Sequence, residues 1–498
     1  MVEVTLASGG LRADIDGAEV LAVPCHPGPR PAVAALPAAE LGPDVLRAAA
    51  VTGFAGDPGQ TFALPPTRPD RPVVLLYGLA PPTVDPAADA AALRQVTGTV
   101  LDACPGAERV LLALPDQSSD RLEDGVRAVA EGAVTAGYRY LAAKPPLAPA
   151  GPTGRLEVLV DEQVLERAGD RLRSALSEGH RRGAATNRAR DLVNQPANRL
   201  TPEALAEAAV ESVAGAAVDV EILHRDELVA GGFGGILAVG DGSVSPPCLA
   251  VMRYRPADPT GHVVLVGKGV TYDAGGLSLK TQEWLPIMKA DMAGAAVVIG
   301  VMSALPELGG RTAVTAYLPA AENMPSGSAM RPGDVLTTHA GRTVEVVNAD
   351  AEGRLLLADA LALAVTEPTD AVITVGTLFG GVVHTFGMGF ATVTSNRAWL
   401  LDEVAAAATA AGERTWPLPL PEDYRSALCS PVADLRNFVG NSGDPVYAGL
   451  FLSEFIADRP WLHLDVLGPC WAGPGGATGF GVRSLLTWLQ TRSPQTAP

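Results

Sequence analysis

Val266-Gly267-Lys268-Gly269-Val270-Thr271-Tyr272-Asp273-Ala274-Gly275-Gly276 is the stretch from which the fold can be read. Just ahead of it, Val263–Val266 is a short apolar run without alternation, which predicts a strand buried on both faces. The glycines that follow predict a loop at the carboxyl end of that strand, where α/β sheets build their sites. The stretch runs on through Lys280 to Met288-Lys289-Ala290-Asp291-Met292, and a second polar segment, Asn348-Ala349-Asp350-Ala351-Glu352-Gly353-Arg354, answers it further along. Lys and Arg together number 37, yet only Lys144, Lys268, Lys280 and Lys289 are lysine, and three of those four fall within 22 residues. Arginine cannot lose its proton, whereas lysine can do so and then act as a neutral amine ligand or proton donor. The cluster points to chemistry that arginine cannot perform.

Working outward, strands are expected at Val2–Ala7, Glu19–Val23, Pro72–Tyr77, Arg109–Leu114 and Leu156–Val160, with helices over Asp85–Cys104 and Ser118–Ala136. Proline-rich stretches at 24–43 and 143–152 read as loops. Glu162 to Arg190 is charged, with Val164, Leu165, Ala168, Leu172 and Leu176 at helical spacing. After it, strand and helix alternate again: strands Val263–Val266, Thr343–Val347, Asp370–Val375 and Trp461–Val466, helices Ala290–Met302 and Arg354–Val365. The tail from Ser493 reads as frayed. This pattern implies two α/β domains, residues 1–160 and 191–498, joined by a connecting helix over 161–190. The second is expected to be a mixed sheet flanked by helices and to carry a dinuclear metal site.

Composition narrows the function. Hydrophobic residues make up 47% of the chain but aromatics only 5%, so Ala, Val and Leu must fill the core. A net charge of −18 argues against nucleic acid as a partner. Five dispersed cysteines with no CxxC pair give neither a disulfide framework nor a thiolate metal site. The start lacks the basic and apolar regions of a signal peptide, and apolar runs such as Ala360–Val365 are too short to span a membrane. A cytoplasmic protein with no membrane partner is the expectation.

On this reading Asp273 lies in the glycine-rich loop, Asp291 at the start of a helix, and Asp350 and Glu352 in a loop ahead of the next helix. Four carboxylates brought together would repel one another and be forced to protonate unless cations were present. Two divalent ions resolve this, because hard carboxylate oxygens suit zinc, manganese or magnesium. Alone, Asp291 or Asp350 would read as a solvated loop residue or a helix cap. Other chemistries fit less well. The Gly261–Lys268 spacing is one residue too long for a phosphate loop, and Gly269 stands where Ser or Thr is needed. Ser442, in Gly440-Asn441-Ser442-Gly443, misses the G-x-S-x-G of a serine hydrolase by one residue. The seven histidines form no H-E-x-x-H, and His463 in His463-Leu464-Asp465 reads as core or as a support for the site.

The two opening segments resemble the signatures of the leucine aminopeptidase family, the cytosol aminopeptidases. Asp191-Leu192-Val193-Asn194-Gln195-Pro196-Ala197-Asn198, Asn323-Met324-Pro325-Ser326-Gly327, Arg331-Pro332-Gly333-Asp334 and Gly476-Ala477-Thr478-Gly479-Phe480-Gly481 extend the likeness over about 190–490. The resemblance implies that Lys268, Asp273, Asp291 and Glu352 ligate a tightly held metal. Asp273, Asp350 (through side chain and backbone carbonyl) and Glu352 would ligate an exchangeable one. Two manganese or zinc ions per subunit would then share the attacking hydroxide. Lys280 would polarise the scissile carbonyl, and Arg354 would hold a bicarbonate that shuttles a proton to the leaving amine. The substrate's free α-amino group would bind a metal, restricting cleavage to the first residue of a peptide. Met288, Thr377, Gly380 and Leu467 would line the pocket for that first, leucine-like side chain, and the assembly would be a homohexamer. The chain departs from the family at Ala349, usually Thr; at Phe379 and Gly381, usually Thr and Ala; and at Leu467, usually Ala. These departures bear on side-chain preference and rate. The resemblance leaves two other functions open: a specialised dipeptidase, such as one acting on cysteinylglycine, and a DNA-binding regulator.

Overall fold

Short Val- and Leu-rich runs form the strands of both halves of the chain. The computed structural model describes residues 2–8, 17–27, 32–33, 49, 51–66, 71–81, 83, 85–115, 119–142 and 154–492. The chain divides into two compact units, Met1–Asn187 and Arg188–Pro498. In the first, the elements are β1 (Glu3–Ser8), β2 (Val20–His26), β3 (Ala32–Val33), β4 (Thr61–Leu64), β5 (Val73–Gly78), α1 (Pro86–Ala103), β6 (Arg109–Ala113), α2 (Ser119–Ala136), β7 (Arg155–Val160) and α3 (Glu162–Asn194). The sheet runs β1-β7-β6-β2-β5-β4, with β3 paired to β2. Its inner pairs are parallel, and only β3 and β4 run against their neighbours. Both faces are buried: Val110 and Leu112 join one core cluster with α2, while Leu111 and Ala113 join another. This explains why these strands read as continuous apolar runs.

The predicted elements of this unit stand within a residue or two of the expected bounds, with one correction. The loop expected from residue 24 begins later, because β2 continues through Pro24-Cys25-His26. Pro24 is tolerated there because β2 pairs only with β5 at that point; β6 pairs with Val20–Ala22 and β3 with Cys25 and His26. Most of the rest of that stretch, the whole of 143–152 with Lys144, and the tail from Ser493 lie outside the described residues. The apolar stripe of α3 (Val164, Leu165, Ala168, Leu172, Leu176) packs on the first unit's core.

The second unit contains β8 (Val218–Leu223), β9 (Cys248–Tyr254), β10 (His262–Gly267), β11 (Gly269–Asp273), α4 (Ala293–Ala304), β12 (Ala313–Asn323), β13 (Val335–Thr337), β14 (Thr343–Glu345), α5 (Gly353–Ala364), β15 (Ala371–Gly376), α6 (Gly380–Phe386), β16 (Ala391–Ser395), β17 (Thr415–Pro417), β18 (Leu435–Arg436), α7 (Asp444–Ser453) and β19 (Trp461–Asp465), besides further helices. The main sheet is mixed, in the order β17-β16-β19-β15-β10-β12-β9-β8. Its centre, β19-β15-β10-β12, is parallel, so those four strands present their carboxyl ends on one edge.

Three details correct the sequence reading. Gly269–Asp273 is a strand and not a loop: β12, 11 residues long, pairs first with β10 and then with β11. The helix expected from Ala290 begins at Ala293, after a 3-10 turn over Leu285–Ala290, so Asp291 sits in the joint between them. The strand before Asp350 is shorter than expected and belongs to a separate three-stranded sheet, β13-β14-β18. Leu285–Ala304 is 20 residues long and apolar enough to cross a membrane by composition, but 78% of that window is buried inside the protein. It is broken by the joint at Asp291, as befits a core segment.

Candidate active site

The parallel strands deliver the site residues at their carboxyl ends. Lys268 follows β10, Asp273 ends β11, Asn323 ends β12, Thr377 follows β15 and Asp465 ends β19. The Lys268 backbone is fixed on both sides: its N–H donates to Val375 O at 2.9 Å, and its carbonyl accepts from Ala295 N at 2.8 Å. Glu352 is the N-cap residue of α5, with Asp350 in the turn before it. The positive end of a helix dipole favours carboxylates in that place. Gly353, the first residue of α5, is required by close approach. A Cβ there would fall 2.4 Å from Lys268 Cε and 2.6 Å from Leu378 Cδ2. Gly275 has φ +86°, and its loop brings Lys280 N to Ala274 O at 3.0 Å.

Two lysines each bridge two carboxylates. Lys268 Nζ lies 2.8 Å from Asp291 Oδ2 and 2.9 Å from Glu352 Oε1, and donates to Thr377 O at 2.8 Å. Lys280 Nζ lies 2.7 Å from Asp273 Oδ2 and 2.5 Å from Asp350 Oδ1. The Thr377 hydroxyl donates to Asp291 Oδ1 at 2.7 Å, and Asn323 Nδ2 donates to Asp273 Oδ1 at 2.8 Å and Ala349 O at 3.0 Å. Arg354, 2% exposed, donates to Asn437 O at 2.7 Å and Asp444 Oδ1 at 2.8 Å. Asn437 Nδ2 in turn reaches Asn348 O at 2.7 Å, holding the Asp350 turn.

Burial and mutual repulsion dominate the electrostatics. Burial pushes the Asp273 and Asp291 carboxyls up, and burial with the Asp273 charge pushes Asp350 up to about 7. Burial would raise Glu352 as well, but Lys268 and Lys280 outweigh it and hold that carboxyl below its usual range. For the lysines, burial favours the neutral amine, yet the surrounding carboxylates prevail and hold both ammonium groups above their ordinary value.

The donor set fits divalent cations. Asp273, Asp350 and Glu352 each offer an oxygen, and these three atoms lie within 4.8 Å of one another. Asp291 Oδ2, Asp350 Oδ1 and Glu352 Oε1 are buried, and each faces a lysine ammonium shared with a second carboxylate, so two positive charges stand against four carboxylates. Hard oxygens with one amine nitrogen alongside suit manganese, magnesium or zinc.

Lys268, Asp273, Lys280, Met288, Asp291, Asp350, Glu352, Arg354, Thr377, Gly380 and Leu467 all line one cavity of about 600 Å³. The structure thus brings the residues expected as metal ligands, catalytic groups and pocket lining to a single cavity. Lys289 stands apart: its ammonium donates to Asn194 O at 2.8 Å and lies 5.4 Å from the centre of the Trp471 ring. Phe379 is not among the residues that line the cavity. It is buried with Val382 and Ala448 and meets the His463 ring edge-on at 5.6 Å, so this departure changes the core behind the pocket. Ala349 is likewise fully buried. The sequence reading missed Asn323 as a support of Asp273, although it opens a quoted motif. It also missed Asn437 and Asp444, which carry no local signal, being 83 and 90 residues from Arg354.

Comparison with known proteins agrees with this geometry. Residues 187–486 match the catalytic domain of the cytosol aminopeptidase family. A probable cytosol aminopeptidase of Micrococcus luteus is 41% identical over 85% of each chain, and one of Streptomyces coelicolor 39% identical over 97% of this chain and 96% of that one. Among solved structures, the bottromycin maturation enzyme BotP in complex with Mn superposes with a TM-score of 0.84 at 37% identity, covering 95% of this chain and 99% of that one. A point mutant of tomato leucine aminopeptidase reaches 0.87 at 28% identity, covering 99% and 97%. With likeness of this extent and a cavity of buried carboxylates and lysines to match, the chain belongs to the cytosol aminopeptidase family and is a metal-dependent aminopeptidase, a hydrolase of the leucyl aminopeptidase type.

Proposed function

We propose that the chain removes the first residue, preferably leucine-like, from peptides, using two divalent ions held in the cavity. The observation that carries this reading is the crowding of Asp273, Asp350 and Glu352 within 4.8 Å, with Lys268 and Lys280 each shared between two carboxylates. Lys268, Asp273, Asp291 and Glu352 would hold one ion, and Asp273, Asp350 and Glu352 the other, so that Asp273 and Glu352 serve both. Manganese or zinc would supply water activation at neutral pH and polarisation of the scissile carbonyl. Lys268 can join as a neutral amine because nearby cations reverse the electrostatic preference that the bare carboxylates impose. With the carboxylates engaged by ions, Lys280 would donate to the developing oxyanion.

Arg354 is held by Asn437 and Asp444, which use two of its five N–H donors. Those that remain support a bicarbonate, which would carry a proton toward the leaving amine. Met288, Thr377, Gly380 and Leu467 would seat the first side chain. The family's aminopeptidase activity supports a peptide substrate. We also propose a homohexamer in the cytoplasm, with residues 1–160 as a separate domain, 161–190 as the connector and 191–498 as the catalytic domain.

The test is hydrolysis of leucine p-nitroanilide by protein loaded with manganese or with zinc, in parallel with metal analysis. Turnover with two ions per chain is the expected result. Two bound ions without turnover of any aminoacyl substrate would favour a binding role instead.

A further inference from the structure

Asp465 is fully buried at the last position of β19, and the sequence reading gave it no role. Its two oxygens do separate jobs. Oδ1 accepts from Leu467 N at 2.9 Å and Oδ2 from Leu378 N at 3.2 Å. The two N–H groups belong to different segments: Leu378 follows β15, and Leu467 begins the turn after β19. The strands themselves are in register, with Gly376 opposite Asp465 and Val466 N donating to Gly376 O at 2.8 Å. Beyond the last paired residues, that carboxylate joins the two segments.

Each segment leads into the site. Thr377, next to Leu378, accepts from Lys268 through its carbonyl and donates to Asp291 through its hydroxyl. Leu467 and Gly380 line the cavity. We propose that Asp465 is a positioning residue that sets the wall of the first side-chain pocket in register with the metal cage. It touches neither substrate nor metal, and acts through the backbone of Leu378 and Leu467. A carboxylate suits this task because both its oxygens accept. An asparagine of the same shape must turn its NH₂ toward one of the two N–H groups, which parts that segment from the other.

This inference rests on the proposed aminopeptidase reaction, so its experiment is chosen to separate the two. Asp465→Asn and Asp465→Ala holoenzymes would be assayed with the p-nitroanilides of leucine, methionine, alanine and phenylalanine, and their bound metal counted. A pocket wall displaced by about one methylene changes discrimination by about 10-fold or more. The expected result for Asp465→Asn is a leucine-to-alanine ratio of kcat/KM lowered by about that factor. The change should fall mainly on KM, with metal content unchanged. If Asp465→Asn does not fold, Asp465→Ala carries the test, since it leaves room for water to cap both N–H groups. A uniform fall in kcat for all four substrates, with selectivity and KM unchanged, would overturn the positioning role. Inactivity of the unaltered holoenzyme toward all four would overturn the proposed reaction and this inference with it.

Discussion

In the N-terminal unit, buried and half-buried carboxylates meet arginine. Glu157 lies 2.7 Å from Arg109, and Glu178 lies 2.8 Å from Arg127 and 3.1 Å from Arg182. In the cavity of the C-terminal unit, four carboxylates share two lysines. Both units are mixed α/β sheets built on parallel strands. The difference shows that sheet class alone makes no site. In the N-terminal unit each of these carboxylates has at least one arginine beside it, so little negative charge is left to attract a cation. Two lysines shared among four carboxylates leave an excess of negative charge that suits cations.

Substitutions can break that contrast. Glu352→Ala should abolish hydrolysis of leucine p-nitroanilide, whereas Glu157→Ala should leave kcat/KM unchanged and lower only thermal stability. Equal effects of the two on kcat/KM would erase the distinction between the units. Next in size, Lys280→Ala should lower kcat by about 10²–10³-fold, the range for loss of one oxyanion donor. Lys280→Arg should not restore it, because the guanidinium fork does not match a compact ammonium. A fully active arginine variant would show that bulk positive charge suffices.

Smaller effects sharpen the same picture. Gly353→Ala puts a methyl group against Lys268 and Leu378, and overpacking of this kind costs about 1–3 kcal/mol. Thermal unfolding and metal titration of this variant should show weaker metal binding together with the lost stability. His463 gives a pH signature of about the same size. Burial first, then the charges of Lys268 and Arg354, push its imidazole down to about 3. Below about 6.5 the unfolded chain takes up a proton that the folded chain refuses until about pH 3. Stability is therefore present above 6.5 and lost as the pH falls, by about 2 kcal/mol between pH 7 and pH 5. Urea unfolding at both values would measure it, and His463→Phe should flatten the difference. An equal slope in the variant would assign the acid sensitivity to other groups.

Much of the site was legible because its residues lie in two contiguous segments with unusual composition. Lys268, Asp273, Lys280 and Asp291 fall in one, and Asp350, Glu352 and Arg354 in the other. The strands were legible from apolar runs that both faces of a parallel sheet require. Supports brought in from a distance were not. Asn437, Asp444 and Asp465 reach the site only because β18, α7 and β19 fold back, and no local spacing announces that. Asp273 reads as part of a loop because the stretch around it carries four glycines, yet the length of β12 supplies a partner strand. Lys289 entered with the lysine cluster and turned out to anchor Asn194, so composition found the right neighbourhood without separating its members.

The claim on which the rest depends is that the four carboxylates, with Lys268, hold two cations. Counting manganese bound per chain at saturation, for the unaltered protein and for Glu352→Ala, tests it most directly. Two ions in the first and fewer in the second is the result this account predicts. A count near zero in the unaltered protein, or the same count in both, would contradict it.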